Sequence, residues 1–377
     1  MSTTPENTSN TPEYDVVVPD IPVPQNTETL EIKDKFNAGF KFAFIGSGQG
    51  GGRLAACFKS LGYERVCAIN TAEQDLATLA LPHKLCLGSE GGAGKNPAVA
   101  KNVFKAHKED VLDFMRRSFG PGLDRIFVCA GAGGGTGAGT AVQLVDTAIE
   151  LQKSLRCASE KVGVILALPK LSEGKRVAAN AYNTLRDILY LVEQKHVSPL
   201  IVVDNEKIAK LYPNLAVDPF WDTANLSVAS LFHLFNTICI QHSHYTSFDR
   251  ADLQTVLDSG FITFGANPVQ NYTSETDISF AVRSNLRKNI LTGGVDLSTG
   301  NIAAAVIIGG VEVMNVVPQQ ALEHAFEQLN RMLRPGNTVH RGIYRGNKPN
   351  LVVYTLIGGL GSPEEKLAEL KRIGELL

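Results

Sequence analysis

Three short stretches concentrate residues whose chemistry is done by the backbone itself. Gly131–Thr140 reads GAGGGTGAGT, six glycines in ten residues. Glycine loses the most conformational freedom on folding, so such a run is costly to order. It follows an apolar run, RIFVCA, and precedes a helix-like one, AVQLVDTAIE. Between a strand and a helix, consecutive glycines let successive N–H groups point one way, and the helix start adds about half a positive charge. Thr136 and Thr140 add hydroxyl donors. The chemistry is anion binding; the competing reading is tight strand–helix packing that leaves no room for Cβ atoms. The run holds no carboxylate.

The second stretch, Phe44–Arg53, reads FIGSGQGGGR and contains G-x-G-x-x-G as Gly46, Gly48 and Gly51. After a strand and opening a helix, that pattern fits a dinucleotide-binding loop, the signature of a nicotinamide-dependent dehydrogenase. Such a site also wants an acid at the tip of the next strand. Here the tip carries Asn70 and Thr71, and Asp75 comes later, in a following helix. The third stretch, LGSEGGAGKNP (Leu87–Pro97), fails as a P-loop twice: Asn96 follows Gly94-Lys95, and Ser89 stands where the first glycine belongs. Outside these loops, Asp249 and Asp252 stand three apart, so both can face one way on a helix turn. A helix N-cap is a compatible role for Asp249.

Apolar runs FAFIG, RVCAIN, KLCLG, RIFVCAG, VGVILALP and PLIVVDN alternate with helical stretches at Gly52–Ser60, Pro97–Phe119, Gly139–Ser154 and Glu173–Gln194. Strands apolar on both faces, alternating with helices, predict an α/β fold whose mostly parallel sheet is covered by helices on both faces. A long apolar helix spans Pro219–Gln241. Then FITFGA, AAAVIIGG, TVHRGIY and LVVYTLIGG, separated by helices near Asp252, Ala281 and Gln319, form a second, smaller α/β domain. The three glycine loops all follow strands of the first sheet. They meet at its carboxyl edge, where open α/β sheets bind ligands. Three converging sets of N–H donors call for a ligand with several phosphates, a nucleoside triphosphate.

The chain has 377 residues, a formal net charge of −2 and 44% hydrophobic residues. The charge balance excludes a global nucleic-acid or membrane footprint. No apolar stretch reaches the roughly 18 residues of a membrane span, and the N-terminus lacks the basic and apolar regions of a signal peptide. Six cysteines (Cys57, Cys67, Cys86, Cys129, Cys157, Cys239) lie far apart, mostly in apolar runs. They read as reduced thiols of a cytoplasmic protein, with no structural zinc. Residues up to about Ala38 are rich in Pro, Thr, Asn and acids and read as a disordered arm. It contains an apolar island, YDVVVPDIPVP.

GAGGGTGAG resembles the tubulin/FtsZ signature GGGTG[ST]G, which cradles the phosphates of GTP. FIGSGQGGGR, INTAEQDL, GGAGKNP, LSEGKR, LIVVDNEKI and SFDRADLQTVLDSG follow in that family's order and approximate spacing. LTGGVDLSTGNIAAAVIIGG and LVVYTLIGG look like its C-terminal domain, so the resemblance runs from about Lys41 to Gly361. It implies a GTP-binding domain (39–218), a central helix with the start of a catalytic loop (219–248) and an activation domain (249–361), between the arm (1–38) read from composition and a C-terminal amphipathic helix (362–377) read from its apolar period.

The same resemblance implies the site. Gly46, Gly48, Gln49 and Gly50 match the first phosphate loop, and Asn70 and Thr71 the second. Ala93, Gly94 and Lys95 match the loop that senses the γ-phosphate; Gly133, Gly134, Gly135, Thr136 and Gly137 match the signature. Glu173 matches the ribose-binding acid, with Arg176 one residue closer to it than the usual arginine, and Asn205 and Asn225 match positions that contact the nucleoside. Asp249 and Asp252 match the loop that enters the next subunit's site and polarises the attacking water, so hydrolysis requires assembly. The implied cofactors are GTP or GDP, with Mg²⁺ held mainly through phosphates and water rather than by protein metal ligands.

The implied partner is the protein itself, head to tail. An adaptor or neighbouring subunit is a further partner, through the N-terminal arm or the C-terminal helix, with no direct nucleic acid and no membrane insertion. Gln49 (as in tubulins, where FtsZ has glycine), Arg53, Lys95 and Ser247 depart from division FtsZ, and the C-terminus does not match its tethering peptide. These differences point to a divergent branch, phage- or plasmid-encoded or CetZ-like. A scaffold that scarcely hydrolyses its nucleotide and a division-ring protein are the alternatives. In the last helix Leu367, Leu370, Ile373 and Leu377 form one apolar stripe. It is expected to bury against either its own activation domain or an adjacent subunit.

Overall fold

The computed structural model describes residues 32–375, apart from 89–90, 215, 289–290 and 292–293. The first described elements are β1 (Phe42–Ser47), α1 (Gly48–Ser60), β2 (Val66–Asn70), a short α2 (Glu73–Ala77) and β3 (His83–Cys86). Then come α3 (Pro97–Ala106), α4 (Lys108–Phe119), β4 (Arg125–Gly131), α5 (Thr136–Leu155), β5 (Val162–Leu168), α6 (Lys175–Glu193), β6 (Val197–Asp204) and α7 (Asn205–Leu211). The central α8 (Val217–Ile238) and α9 (Arg250–Leu257) lead to β7 (Phe261–Val269), α10 (Glu275–Lys288), β8 (Ile302–Gly310), α11 (Val311–Met314), α12 (Gln319–Met332), β9 (Thr338–Gly346), β10 (Leu351–Leu360) and α13 (Glu364–Gly374).

The strands form one sheet, ordered β3-β2-β1-β4-β5-β6-β7-β10-β8-β9. The first six are parallel, β10 runs antiparallel to β7 and β8, and β8 and β9 are parallel. The two expected domains therefore share a sheet, joined where Leu200 and Ile201 of β6 pair with Phe261 and Ile262 of β7. Register sets the geometry of the edge. Ser47 pairs with Ile69 and with Ala130, and Gly131 with Ala167, so the chain leaves β1, β2 and β4 side by side.

Strand residues alternate between two cores, as their period of two requires. Ala43 and Ile45 face α3 to α6; Phe42 and Phe44 face α1 and α8. On the second face Phe44 stacks on Phe58 at 3.8 Å between ring centres and on Phe127 at 5.4 Å, and Phe42 and Phe232 lie edge-on to Phe44. At the amino edge Arg125 is 2% exposed. Its guanidinium donates to the Ser198 and Leu257 carbonyls and to Asp258, tying β4 to β6 and to the end of α9.

Two expectations change. The single helix expected over Pro97–Phe119 breaks at His107, whose ψ of 21° leaves the helical region and whose ring meets Asp110. The arm expected to be disordered through Ala38 is docked from residue 32, while residues 1–31, including the apolar island, lie outside the described residues. Asp34 accepts the Glu64 N–H, Lys35 donates to Gly62, and the Phe36 ring lies edge-on to Tyr63 at 4.7 Å.

Candidate functional site

The glycine loops after β1 and β4, the segment Gly91–Lys95 before α3 and the end of β2 enclose a cavity of about 510 Å³ at the carboxyl edge of the sheet. α1 and α5 both begin at its wall, with Gly48, Gln49 and Gly50 on one side and Thr136 and Gly137 on the other. Two helix N-termini and their unpaired N–H groups thus face one space, which is the electrostatics of a phosphate site. Gly48 makes the first turn at φ 68°, and a Cβ there would lie 3.0 Å from the Gly137 nitrogen. The loops are packed against each other. A Cβ on Gly135 would meet that of Ala93 at 2.8 Å, and one on Gly133 would meet Val177 at 2.5 Å. A Cβ on Gly134 or Gly94 would meet nothing within 4 Å, so there the backbone faces open space.

Asn180 of α6 holds two of these loops, its amide donating to the carbonyls of Lys95 at 3.1 Å and Gly133 at 3.2 Å. Lys95 has φ 57°, a left-handed conformation that side chains rarely adopt. Lys95 lines the cavity. A threonine ladder fixes the floor. Thr136 donates to Asn70 Oδ1 at 3.0 Å and so accepts from the Thr71 hydroxyl at 2.8 Å. Thr140, expected among the ligand donors, is instead fully buried, donating to the Thr136 carbonyl and paired with Ser47 at 2.6 Å.

One acid of the cavity was not legible as such. Asp75 on α2 accepts from Asn70 at 3.0 Å and from Gln49 at 3.4 Å, bridging the first two loops. Among the described residues no cluster of three or more His, Cys, Asp or Glu side chains forms a ready-made metal site.

The far end of the cavity suits a nucleoside. Glu173, Asn205 and Asn225 all line it. Glu173 closes a 3-10 turn (Leu171–Glu173) by accepting the Lys170 N–H at 2.8 Å, and that turn is held to α7 because Leu171 N–H donates to Glu206. Trp221 also lines the cavity, four residues before Asn225 on the same face of α8, with the Lys170 ammonium 5.5 Å above its ring. Sequence reasoning missed it; the i, i+4 spacing from Asn225 was the signal. An aromatic plane beside three polar side chains is what a flat heterocyclic base requires.

Of the expected cavity residues, two do not line it. Gly46 lies within β1, where a Cβ would meet the Gly51 carbonyl oxygen at 2.5 Å. Its role is strand–helix packing. Arg176 is exposed at the start of α6, outside the cavity.

Asp249 and Asp252 lie elsewhere. From Trp221 the helix α8 carries the chain about 25 Å at 1.5 Å per residue. The next residue after Asp249, Arg250, pairs with Asp124 at 3.1 Å and covers the Phe40 ring at 4.5 Å, both at the amino edge of β1 and β4. The two aspartates are thus at the opposite edge of the sheet from the cavity. They form a reciprocal cap on α9: Asp249 Oδ1 accepts the Asp252 N–H at 2.9 Å, and Asp252 Oδ2 accepts the Asp249 N–H at 3.1 Å. The preceding loop is bolted to β9. Ile343 N–H donates to the Thr246 carbonyl, Ser243 to the Ile343 carbonyl, and Tyr344 exchanges two bonds with the Phe248 backbone. Burial pushes the Tyr344 phenol up to about 12, which keeps its proton.

The expected C-terminal helix is present as α13, and its destination differs from both expectations. Leu370 is fully buried, and the helix packs along α6 of the same chain, with Gly374 against Ala179. Leu377 lies outside the described residues.

No described helix is long and apolar enough to cross a membrane. The tubulin-like protein TubZ of Bacillus cereus is 26% identical over 249 residues, covering 61% of this chain and only 55% of that protein. The cell division protein FtsZ 1 of Methanocaldococcus jannaschii is 26% identical over 74% of this chain and 72% of its own. A GTPγS-form protofilament of Bacillus thuringiensis serovar israelensis TubZ shares the fold with a TM-score of 0.79 at 19% identity, covering 90% of this chain and 92% of that one. CetZ2 from Haloferax volcanii, in a GTPγS-bound protofilament, gives 0.73 at 21% identity, covering 89% and 99%. Residues 41–213 match the tubulin/FtsZ family GTPase domain and residues 235–371 the TubZ-like C-terminal domain of tubulin/FtsZ-like proteins, and the chain belongs to the divergent, TubZ-like branch of the tubulin/FtsZ superfamily.

Proposed function

We propose that this chain binds GTP, assembles head to tail into filaments and hydrolyses the nucleotide at the contact between subunits. The observation that carries this reading is the placement of Asp249 and Asp252 at the sheet edge opposite the glycine-loop cavity. In one chain the cavity's own acids are engaged, Asp75 by Asn70 and Gln49 and Glu173 by the Lys170 N–H; a second chain stacked on it brings Asp249 and Asp252. The same surface pair repeated along an axis does not close on itself and yields a filament. The phosphates are held by the loops at Gly48–Gly50, Ala93–Lys95 and Gly133–Gly137, with Asn70 and Thr71 beside them. Glu173, Asn205, Asn225 and Trp221 take the nucleoside. Mg²⁺, when bound, would offset phosphate charge, and Asp75 and Gln49 of the cavity wall are groups that would receive it or its waters.

One solved TubZ is described as a type III plasmid segregation protein. We extend that class of cargo to this chain: an intracellular replicon or particle carried by a cytomotive filament, with an adaptor bound to the N-terminal segment or an exposed filament face. The test is turnover across a dilution series. Hydrolysis per subunit should collapse below a threshold concentration and rise above it together with sedimentable polymer. A rate per subunit independent of concentration would mean a self-contained site and ends this reading.

A further inference from the structure

His340 of β9 stands beside the reciprocal cap. Its Nδ1 lies 2.6 Å from Asp252 Oδ1, and its Nε2 lies 3.1 Å from the Thr255 hydroxyl. The Thr255 hydroxyl also donates to the Asp252 carbonyl at 2.8 Å, which ties the same turn of α9 to the ring. A carboxylate only accepts. Nδ1 therefore donates to Asp252. With Oδ1 on His340 and Oδ2 on the Asp249 N–H, both Asp252 oxygens are occupied inside the chain. Asp249 is different. It is exposed, its Oδ1 accepts the Asp252 N–H, and its Oδ2 has no hydrogen-bond partner among the described residues.

We propose that His340 is a positioning residue for interfacial hydrolysis. Through Asp252 it fixes the cap that aims the free oxygen of Asp249 at the water in the neighbouring subunit's site. The two aspartates then divide the work, Asp252 as strut and Asp249 as the group that meets the water. This inference rests on the proposed head-to-tail hydrolysis. It goes beyond simple anchoring of the loop, because Ser243, Thr246 and Phe248 are already held by Ile343 and Tyr344 without His340. The imidazole adds the orientation of one carboxylate, through a bond from Nδ1 that the carboxylate's own charge strengthens.

The experiment compares His340→Leu, which removes both ring nitrogens, with His340→Asn, which keeps a donor where Nδ1 stood, and with Asp249→Ala. Each is measured for kcat and KM toward GTP and for sedimentable polymer in GTPγS. His340→Leu should lose about 10- to 100-fold in kcat, the usual scale for a lost outer hydrogen-bond partner, with KM and polymer unchanged. His340→Asn should recover most of that loss. If His340→Leu turns over at the wild-type rate while Asp249→Ala is inactive, this inference is overturned and the interfacial reading stands. If Asp249→Ala itself keeps the wild-type rate, both fail together. If His340→Leu and His340→Asn lose polymer and turnover alike, His340 is an anchor of α9 and the positioning role is wrong.

Discussion

The Lys366 ammonium lies 3.0 Å from an oxygen of the Asp204 carboxylate, and the two side chains are 4% and 5% exposed. Lys366 comes from α13 and Asp204 from the end of β6, so the last helix is pinned to the GTPase half of the chain. A second bond, to Glu369 at 2.9 Å, shares the same ammonium. The other oxygen of Asp204 caps α7 by accepting the Glu206 N–H at 3.1 Å, directly before Asn205 at the cavity wall. Removing one partner of a buried pair leaves an uncompensated charge and costs about 3–5 kcal/mol. Lys366→Ala should therefore lower the unfolding free energy read from urea denaturation by that much, and deletion of the residues after Gly361 should do the same or more. Lys366→Leu combined with Asp204→Asn, which keeps the cap and removes both charges, should recover most of the loss. Wild-type midpoints for the deletion would mean that α13 does not hold the monomer together.

Most of the sheet was readable because its buried strands are short, mostly apolar runs rich in Val, Ile, Leu and Phe, and the phosphate loops because six glycines in ten residues have few other uses. What was not readable depends on contacts between distant segments. Asp75 looks like an ordinary first-turn helix acid until β1 and β2 bring Gln49 and Asn70 to it. Trp221 sits in an apolar helix whose pattern does not separate a core ring from a ring beside a cavity. Gly46 belongs to the fingerprint as a pattern, yet its space is taken by the Gly51 carbonyl. The stripe of α13 was evident, but its docking surface was not: the residue that selects it, Lys366, lies on the same face four residues before Leu370, yet as a lysine it reads as a surface residue.

Trp221 is the only tryptophan of the chain, so its emission reports on the cavity alone. Titration with GTP or GDP should change its intensity in a saturable way that tracks affinity measured by calorimetry. Trp221→Ala should weaken both nucleotides by about 1–3 kcal/mol, the range for a base stacked on an aromatic ring. Unchanged emission at calorimetric saturation would remove the stacking role.

Lys95 is aimed at discrimination between nucleotides. Its backbone is held left-handed by the loop, with Asn180 on its carbonyl, and its side chain lines the phosphate end of the cavity without an ion-pair partner among the described residues. A charge-assisted contact to the γ-phosphate is worth about 1.5–3 kcal/mol. Lys95→Ala should weaken GTP by roughly 10- to 100-fold and GDP much less. An unchanged GTP/GDP affinity ratio rules the contact out.

Acid should loosen the seam between the residue 32–38 segment and α8. Burial lowers the His233 imidazole to about 4. Asn236 donates to the Tyr63 oxygen, and Tyr63 lies 3.4 Å from His233 Nδ1, with Phe36 edge-on at 4.4 Å, an environment built for the neutral ring. Between about 6.5 and 4 the unfolded chain takes up a proton that the folded chain refuses, so stability falls as pH drops through that window. The expected contribution is about 2–3 kcal/mol between pH 7 and 4.5. Urea midpoints at the two pH values should differ by less in His233→Gln than in the wild type; equal pH dependence contradicts the assignment.

A composite site makes two dead proteins complementary. Asp249→Ala keeps its cavity and should bind GTP normally while losing about 10²–10⁴ in turnover, the scale for a lost group that orients a water. Gly134→Asp is the opposite lesion. A Cβ at Gly134 meets nothing within 4 Å, so the side chain fits, but its carboxylate enters the phosphate cradle and repels the nucleotide. Its Asp249 is intact. Each protein alone should be inactive. Mixed in equal amounts they should regain turnover, because an Asp249→Ala cavity can face a Gly134→Asp neighbour at about a quarter of the contacts if subunits assort at random. The gain should vanish on dilution below the assembly threshold. A mixture as inactive as its components, under conditions where both sediment together, would show that the acids and the cavity do not meet across the subunit contact.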